Sequence, residues 1–361
     1  MQPTDRALLS QVSAVHRNVV RAAPLPVAGR SDGHALLIAD FAHDIAHLQW
    51  AASNNVPLSA QLCTVIAASG NLDLLIHARA LGCAWDEFTC GAAAKGGHIH
   101  ILEWMRASFQ PTPCPWWNYF PKHATRPLGG TRPPHHRDCC ALAAFEGNLK
   151  TLKWLRKHSC GWDSKTCDYA VLGEHLPARV SSNLRILQYV RKHGCPWNKT
   201  TAACAGHAGN LGILQWMRNQ NPPCPWSSRT MRWAAYSGHL HLMQWARENG
   251  CRWSVAVCAA AAAGGNIGVL RWLHANGCPW DELTCSNAAQ TGSLQLLRWA
   301  RLHNCPWDGR TIKAADKSGD AAMIEWVRAE NCPTEILYSW WAEYDDDDES
   351  ASDFSDSEMS N

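Results

Sequence analysis

One short motif that returns at a fixed spacing constrains this chain more than anything else in it. Cys-Pro-Trp and its near variants set a cysteine column at Cys83, Cys114, Cys160, Cys195, Cys224, Cys251, Cys278, Cys305 and Cys332, and Val56 of Val-Pro-Leu extends it one step earlier. From Cys224 onward every interval is 27 residues, as is the interval from Val56 to Cys83. The intervals between, of 31, 46, 35 and 29, read as loop insertions into the same unit. A constant period of this length marks a stack of identical supersecondary units, here about ten of them.

Each unit carries the same punctuation. After the Trp stands a helix-capping residue (Asp86, Asp163, Asn198, Ser227, Ser254, Asp281, Asp308), whose side-chain oxygen accepts from the unpaired amides of a helix start. Three residues later Thr89, Thr166, Thr201, Thr230, Thr284 and Thr311 recur, followed by a run of small residues such as the five alanines at 259–263. Then come Gly97-His98, Gly209-Asn210, Gly238-His239, Gly265-Asn266 and Gly292-Ser293. Glycine tolerates the left-handed conformation that ends one helix, and the next residue is placed to cap a second. The unit therefore reads as helix, turn, helix. In the second helix of one unit Ile267, Val269, Leu270, Trp272 and Leu273 spread over a wide arc, which a 27-residue hairpin cannot cover alone and stacked copies can.

Segments such as 230–251, with Thr230, Ala234-Ala235, Gly238-His239-Leu240, Leu242-Met243, Trp245 and Asn249-Gly250, resemble the ankyrin repeat. The units are similar to the short-finger ankyrin units of large DNA viruses and unicellular eukaryotes, with the β-hairpin finger reduced to Gly-Cys-Pro-Trp. The resemblance implies an all-α, ankyrin-like helix-turn-helix solenoid of about ten stacked repeats over residues 29–342, with insertions at 117–138 and 173–182. It also implies that the first helices line a concave binding side.

Composition follows from the repetition. The chain has 20 Trp and 17 Cys against six Phe and six Tyr, and sixteen of the Trp fall in two columns. One is in the loop (Trp85, Trp116, Trp162, Trp197, Trp226, Trp253, Trp280, Trp307). The other is in the second helix: Trp50, Trp104, Trp154, Trp216, Trp245, Trp272, Trp299 and Trp326. A buried indole removes about 150–250 Å² from water, and a short unit with few other large side chains needs that area, so the columns read as structural. Beside the loop cysteines, Cys63, Cys90, Cys140, Cys167, Cys258 and Cys285 share one position of the first helix. Equivalent positions in stacked helices lie about 8–10 Å apart, too far for a periodic disulfide ladder. The thiols read as reduced, apolar filler.

No chemistry-bearing constellation appears. The cluster from His135 to Cys140 lacks zinc-ligand spacing, the His98/His100 and His239/His241 pairs are turn residues of the repeat, and no phosphate loop or nucleophile elbow occurs. The expectation is a protein that is not an enzyme and uses no cofactor or metal.

Function in an array is sought where the copies differ. The positions just before the conserved Thr vary, including Phe88, Lys165, Lys199, Arg229 and Arg310, as do those two before the turn Gly: Lys95, His207, Tyr236, Gln290 and Lys317. Together they are expected to form one aromatic and basic surface that binds another protein, making the chain a non-enzymatic, monomeric interaction scaffold. An arginine column late in the second helix (Arg79, Arg106, Arg156, Arg191, Arg218, Arg247, Arg301, Arg328) complements the helix dipole. It also forms a positive stripe, the basis of a nucleic-acid-binding alternative, which ranks below protein binding. Trp117, Tyr119, Phe120, Lys122, Arg126, Arg132 and Arg137 of the first insertion read as a mobile surface loop.

Residues 1–28 carry one apolar helical pattern, which caps the array or, by a faint resemblance to an F-box helix, recruits a ubiquitin ligase, the runner-up to protein binding and ahead of the nucleic-acid alternative. Residues 343–361 hold nine acids and no base, leaving 22 acids against 33 bases before them. This tail reads as disordered and attracted to the basic body. With no apolar run of about eighteen residues and no signal sequence at the start, membrane insertion and secretion are not expected; the cytoplasm is, with the nucleus as the alternative.

Overall fold

A computed structural model describes residues 42, 44–53, 58–107, 139–173 and 180–336. Residues 1–28, Val56, Cys114, Trp116, most of both insertions and the acidic tail lie outside that set. Among the described residues there are nineteen helices and no strand, and no helix is long and apolar enough to cross a membrane. The chain divides into two compact units, Met1–Gly173 and Glu174–Asn361.

The first unit holds α1 (Ile45–Ser53), α2 (Ala60–Ser69), α3 (Leu72–Ala80), α4 (Glu87–Gly96), α5 (Ile99–Ala107), α6 (Cys139–Phe145), α7 (Leu149–Lys157) and α8 (Ser164–Leu172). The second holds α9 (Val180–Lys192), α10 (Lys199–Ala208), α11 (Leu211–Arg218), α12 (Ser228–Tyr236), α13 (Leu240–Glu248), α14 (Val255–Ala263), α15 (Ile267–Ala275), α16 (Glu282–Gln290), α17 (Leu294–Leu302), α18 (Gly309–Ser318) and α19 (Ala321–Ala329). The hairpins α2/α3, α4/α5 and α6/α7 of the first unit and α10/α11 through α18/α19 of the second each pack their two helices together, and first helices stack in sequence: α2, α4, α6, α8 in one unit and α10, α12, α14, α16, α18 in the other. The second insertion is shorter than its sequence suggests, because α9 takes in residues 180–182.

The helices begin and end where local chemistry dictates. Asp86 and Thr89, like Asn198 and Thr201, form reciprocal capping boxes. Asp163, Asp281 and Asp308 accept from the second amide of their helices. The Thr column is wholly buried. Gly97, at φ +78°, ends α4 in the left-handed region. The polar residue after that turn is used in two ways. Asn71, Asn210, Ser293 and Asp320 cap their own second helix, as the sequence suggests. His98, Asn148, His239 and Asn266 reach back instead to carbonyls ending the preceding first helix: Ala68, Lys95, His207 and Tyr236, at 2.6–3.0 Å. His100 does the same to Gly70, so a His-x-His pair ties two hairpins together.

The core is narrower than the apolar arc predicts. In α15 Val269, Leu270 and Leu273 are buried, and the second helices from α3 to α17 bury their equivalents, such as Ile213, Leu214 and Met217 in α11, whereas α19 buries Met323 and Val327 and leaves Ile324 half-buried. Trp272 sits at the edge of this stripe, and Trp104, Trp154, Trp216, Trp245, Trp272, Trp299 and Trp326 are all half-buried, where the sequence implies full burial. Loop Trp85 and Trp307 are the more enclosed. Six loop rings meet the helix ring of their own hairpin, mostly edge to face, in the pairs 85/104, 197/216, 226/245, 253/272, 280/299 and 307/326, with centroids 5.6–6.1 Å apart.

The arginine column completes this joint. Arg79, Arg156, Arg191, Arg218, Arg247 and Arg301 lie 3.9–4.3 Å over the loop indole that opens the next hairpin. Arg79, Arg156, Arg191, Arg218 and Arg301 also donate to the carbonyl of the loop Cys. Arginine, indole and indole thus run from one hairpin into the next, a stronger reason for the column than the helix dipole. Where the column breaks, at His274, the imidazole stacks on Trp280 at 4.3 Å. Arg328, with Thr334 where an indole would stand, pairs with Asp316 at 3.2 Å.

The loop thiol has a directional role as well as a packing one. Cys83, Cys251, Cys278, Cys305 and Cys332 donate to the N-cap carbonyl 24 residues back, and Cys224 to one 26 back, at 3.0–3.8 Å.

Candidate binding groove

The variable positions fall in two rows. Phe88, Lys165, Lys199, Arg229 and Arg310 sit at the N-terminal ends of first helices, and Lys95, His207, Tyr236, Gln290 and Lys317 at or near the C-terminal ends. Seven or eight residues of helix separate the two rows, roughly 11 Å. The N-terminal row is engaged with the caps: Arg310 pairs with buried Asp308 at 3.5 Å, and Arg229 gives its amide to Ser227. In the first unit Lys95 stands 6.0 Å over Phe145 and 3.9 Å from Glu146. Lys199 and Lys317 are exposed.

Three residues of the C-terminal row do meet. His207, Tyr236 and Gln290 line a groove of about 870 Å³ with Arg232, Trp233, Ala256, Ala259, Ala260, Ala263, Asn287 and Thr291. The groove exists because α14 presents alanines where its neighbours carry large side chains, so α12 and α16 stand as walls over a methyl floor. Backbones approach closely beneath it. A Cβ on Gly264 would lie 1.9 Å from the Tyr236 carbonyl oxygen, so no other residue fits.

One wall is aromatic and held in place. The His207 ring meets Trp233 edge to face at 5.2 Å, and Trp233 meets Tyr236 at 5.8 Å. Ser237 Oγ lies 2.9 Å from His207 Nδ1, fixing the imidazole, and Asn266 donates to the carbonyls of Ala235 and Tyr236. Tyr236 remains 44 % exposed, a large ring offered to solvent. On the other wall Asn287 donates to the Ala259 carbonyl at 2.9 Å, with Gln290 exposed beside it. No carboxylate lines the groove, and Arg232 gives it positive charge. Ring faces, methyls, amides and one guanidinium provide the chemistry of binding.

Arg232, Trp233, Asn287 and the alanine floor were missed from the sequence. The signal was present: Trp233 is one of four tryptophans outside the two columns, and the alanine run at 259–263 is the longest in the array.

No family model matches the chain, and no curated protein matches it. Among solved structures it is similar to the pentatricopeptide repeat protein PPR10 in complex with an 18-nt psaJ RNA element, at 11% identity and a TM-score of 0.39, over 93% of this chain and 52% of that one. It is also similar to PPR10 from maize, at 11% identity and a TM-score of 0.28, over 90% and 48% of the two chains. The chain thus spans about half the length of these structures, and the likeness is one of helical repetition alone.

Proposed function

We propose that this chain is a non-enzymatic binding scaffold that takes up an acidic segment of another protein along the first helices of its second unit, with an apolar or aromatic side chain seated in the α12–α16 groove. The observation that carries this reading is a preorganised aromatic wall facing a methyl floor, with an arginine and no carboxylate in the lining. Besides the groove's own Arg232, these first helices carry five cations, Lys199, Arg229, Arg310, Lys313 and Lys317, against two acids, Glu282 and Asp316. Fixed rings lose little entropy on binding, which favours affinity. Kinship with ankyrin repeats belongs to the same proposal, supported by the capped Thr and the left-handed Gly turn, as do a monomeric state and a cytoplasmic site of action.

A second reading has its own support. Planar rings beside amides and bases also suit single-stranded nucleic acid, so a partner set aside at the level of sequence returns through the groove. It draws less on the arginine column, whose members stack on indoles. Ligase recruitment rests on residues 1–28, outside the described set.

Fluorescence titration of the full chain with an acidic, Leu- or Phe-bearing peptide and with a single-stranded oligonucleotide separates the two. Peptide binding lost on Ala260→Trp, which fills the groove, supports the first reading. Oligonucleotide binding with a steep salt slope, lost on the same substitution, replaces it with the second. Binding of neither ligand overturns both.

A further inference from the structure

Two thiol clusters in the first unit lie outside the groove and carry a chemistry of their own. Cys63 of α2 and Cys83 of the following loop are buried with their sulfurs 3.2 Å apart. Cys160 makes the same kind of contact with Cys140 and also with Cys139, both at the start of α6. The spacing argument that excludes disulfides between equivalent positions holds, but it compares each column with itself. The helix column faces the loop column 20 residues on. Packing does not require two sulfurs there, since Met231 stands opposite Cys251 and Ile312 opposite Cys332 at the matching positions.

Both clusters are electrostatically biased. The Cys63 thiol donates to Cys83 and holds its pKa below the ordinary thiol range, and contacts from Cys139 and Cys140 do the same for Cys160. Arg79 and Arg156, which donate to the Cys83 and Cys160 carbonyls, add to the shift. By contrast, burial pushes Cys251 and Cys332 up to about 12.

We propose that Cys63/Cys83 and Cys139/Cys140/Cys160 are peroxide-reactive sites that close to disulfides between a first helix and the loop that opens the next repeat. The Cys83 or Cys160 sulfur attacks the peroxide, the O–O bond breaks, and hydroxide leaves and is protonated to water, giving a sulfenic acid. The neighbouring thiol then displaces the hydroxyl as a second water and forms the S–S bond. Two thiols lose two electrons and two protons, and hydrogen peroxide becomes two waters. The Cys63 and Cys83 sulfurs need approach by only about 1 Å to reach bonding distance. Peroxide enters through local opening of a hairpin, the low-energy excursion of a stacked array.

The test treats the full native chain with hydrogen peroxide, blocks remaining thiols by alkylation and maps linkages without reduction. Expected are Cys63–Cys83 and a link from Cys160 to Cys139 or Cys140, formed on the order of ten-fold faster than any oxidation of Cys251 or Cys332, with slower proteolysis of the first unit. Cys63→Met, which copies the Met231/Cys251 arrangement, should fold and leave Cys83 as a sulfenic acid trapped by a cyclic diketone. Arg79→Gln should slow the first linkage and leave the second unchanged. Oxidation at the rate of Cys251, or links between equivalent loop cysteines, overturns the proposal.

Discussion

The loop face and the groove face of the second unit are made by the same 27-residue segment, yet they behave oppositely. On the loop face the copies agree with two exceptions, His274 and Arg328: arginine lies on indole, indole meets indole, and the thiol binds a carbonyl of the hairpin before. On the groove face the copies disagree, and the disagreement makes the shape, because an alanine helix lies between an aromatic one and an amide-bearing one. Agreement holds neighbours together; difference between neighbours creates a site. The distinction can be attacked from both sides.

The largest effect belongs to the core beneath both faces. Leu270→Ala should cost about 3 kcal/mol in urea unfolding, more than Trp272→Ala at about 2, since the leucine is fully buried and the indole only half so. Equal costs would show that the rings, not the aliphatic stripe, carry the stack. Next comes the groove: Trp233→Ala should weaken peptide binding by about 10- to 30-fold, close to 2 kcal/mol, with little change in the unfolding midpoint. A large loss of stability instead would move Trp233 to the side of architecture. Arg218→Met keeps the stem and removes the cation and its bond to the Cys224 carbonyl; it should cost about 1–1.5 kcal/mol and leave binding unchanged. The smallest change sharpens the rule: His274→Arg restores the column over Trp280 and should add about 0.5 kcal/mol, read as a higher melting temperature.

Much of the fold was legible because periodicity exposes it. The capping residues, the Thr column and the turn glycines fall where the spacing puts them. What stayed hidden was contact between different columns. Arginine and the next loop indole are six residues apart in most copies, as at Arg79 and Trp85, and the helix Cys and loop Cys are 20 apart, but a column compared with itself reveals neither meeting. The groove was half legible for a similar reason. His207, Tyr236 and Gln290 announce themselves by variation, whereas Asn287 and the alanine floor matter only through what stands beside them.

The bond from a loop thiol to a carbonyl one repeat earlier, made by six of the loop cysteines, makes the array modular. Each such joint is specified by a donor in one copy and an acceptor in the copy before it, so nothing in the joint depends on a residue's absolute place in the chain. A block running from one loop cysteine to the next, such as 251–277, carries half of two identical joints. Excising or duplicating it should reconnect the remaining copies without any new interface having to be invented. A protein joined this way can lengthen or shorten its binding face by whole steps, and a lineage can do so by unequal recombination, testing new neighbours around an alanine helix while the fastening between copies stays the same.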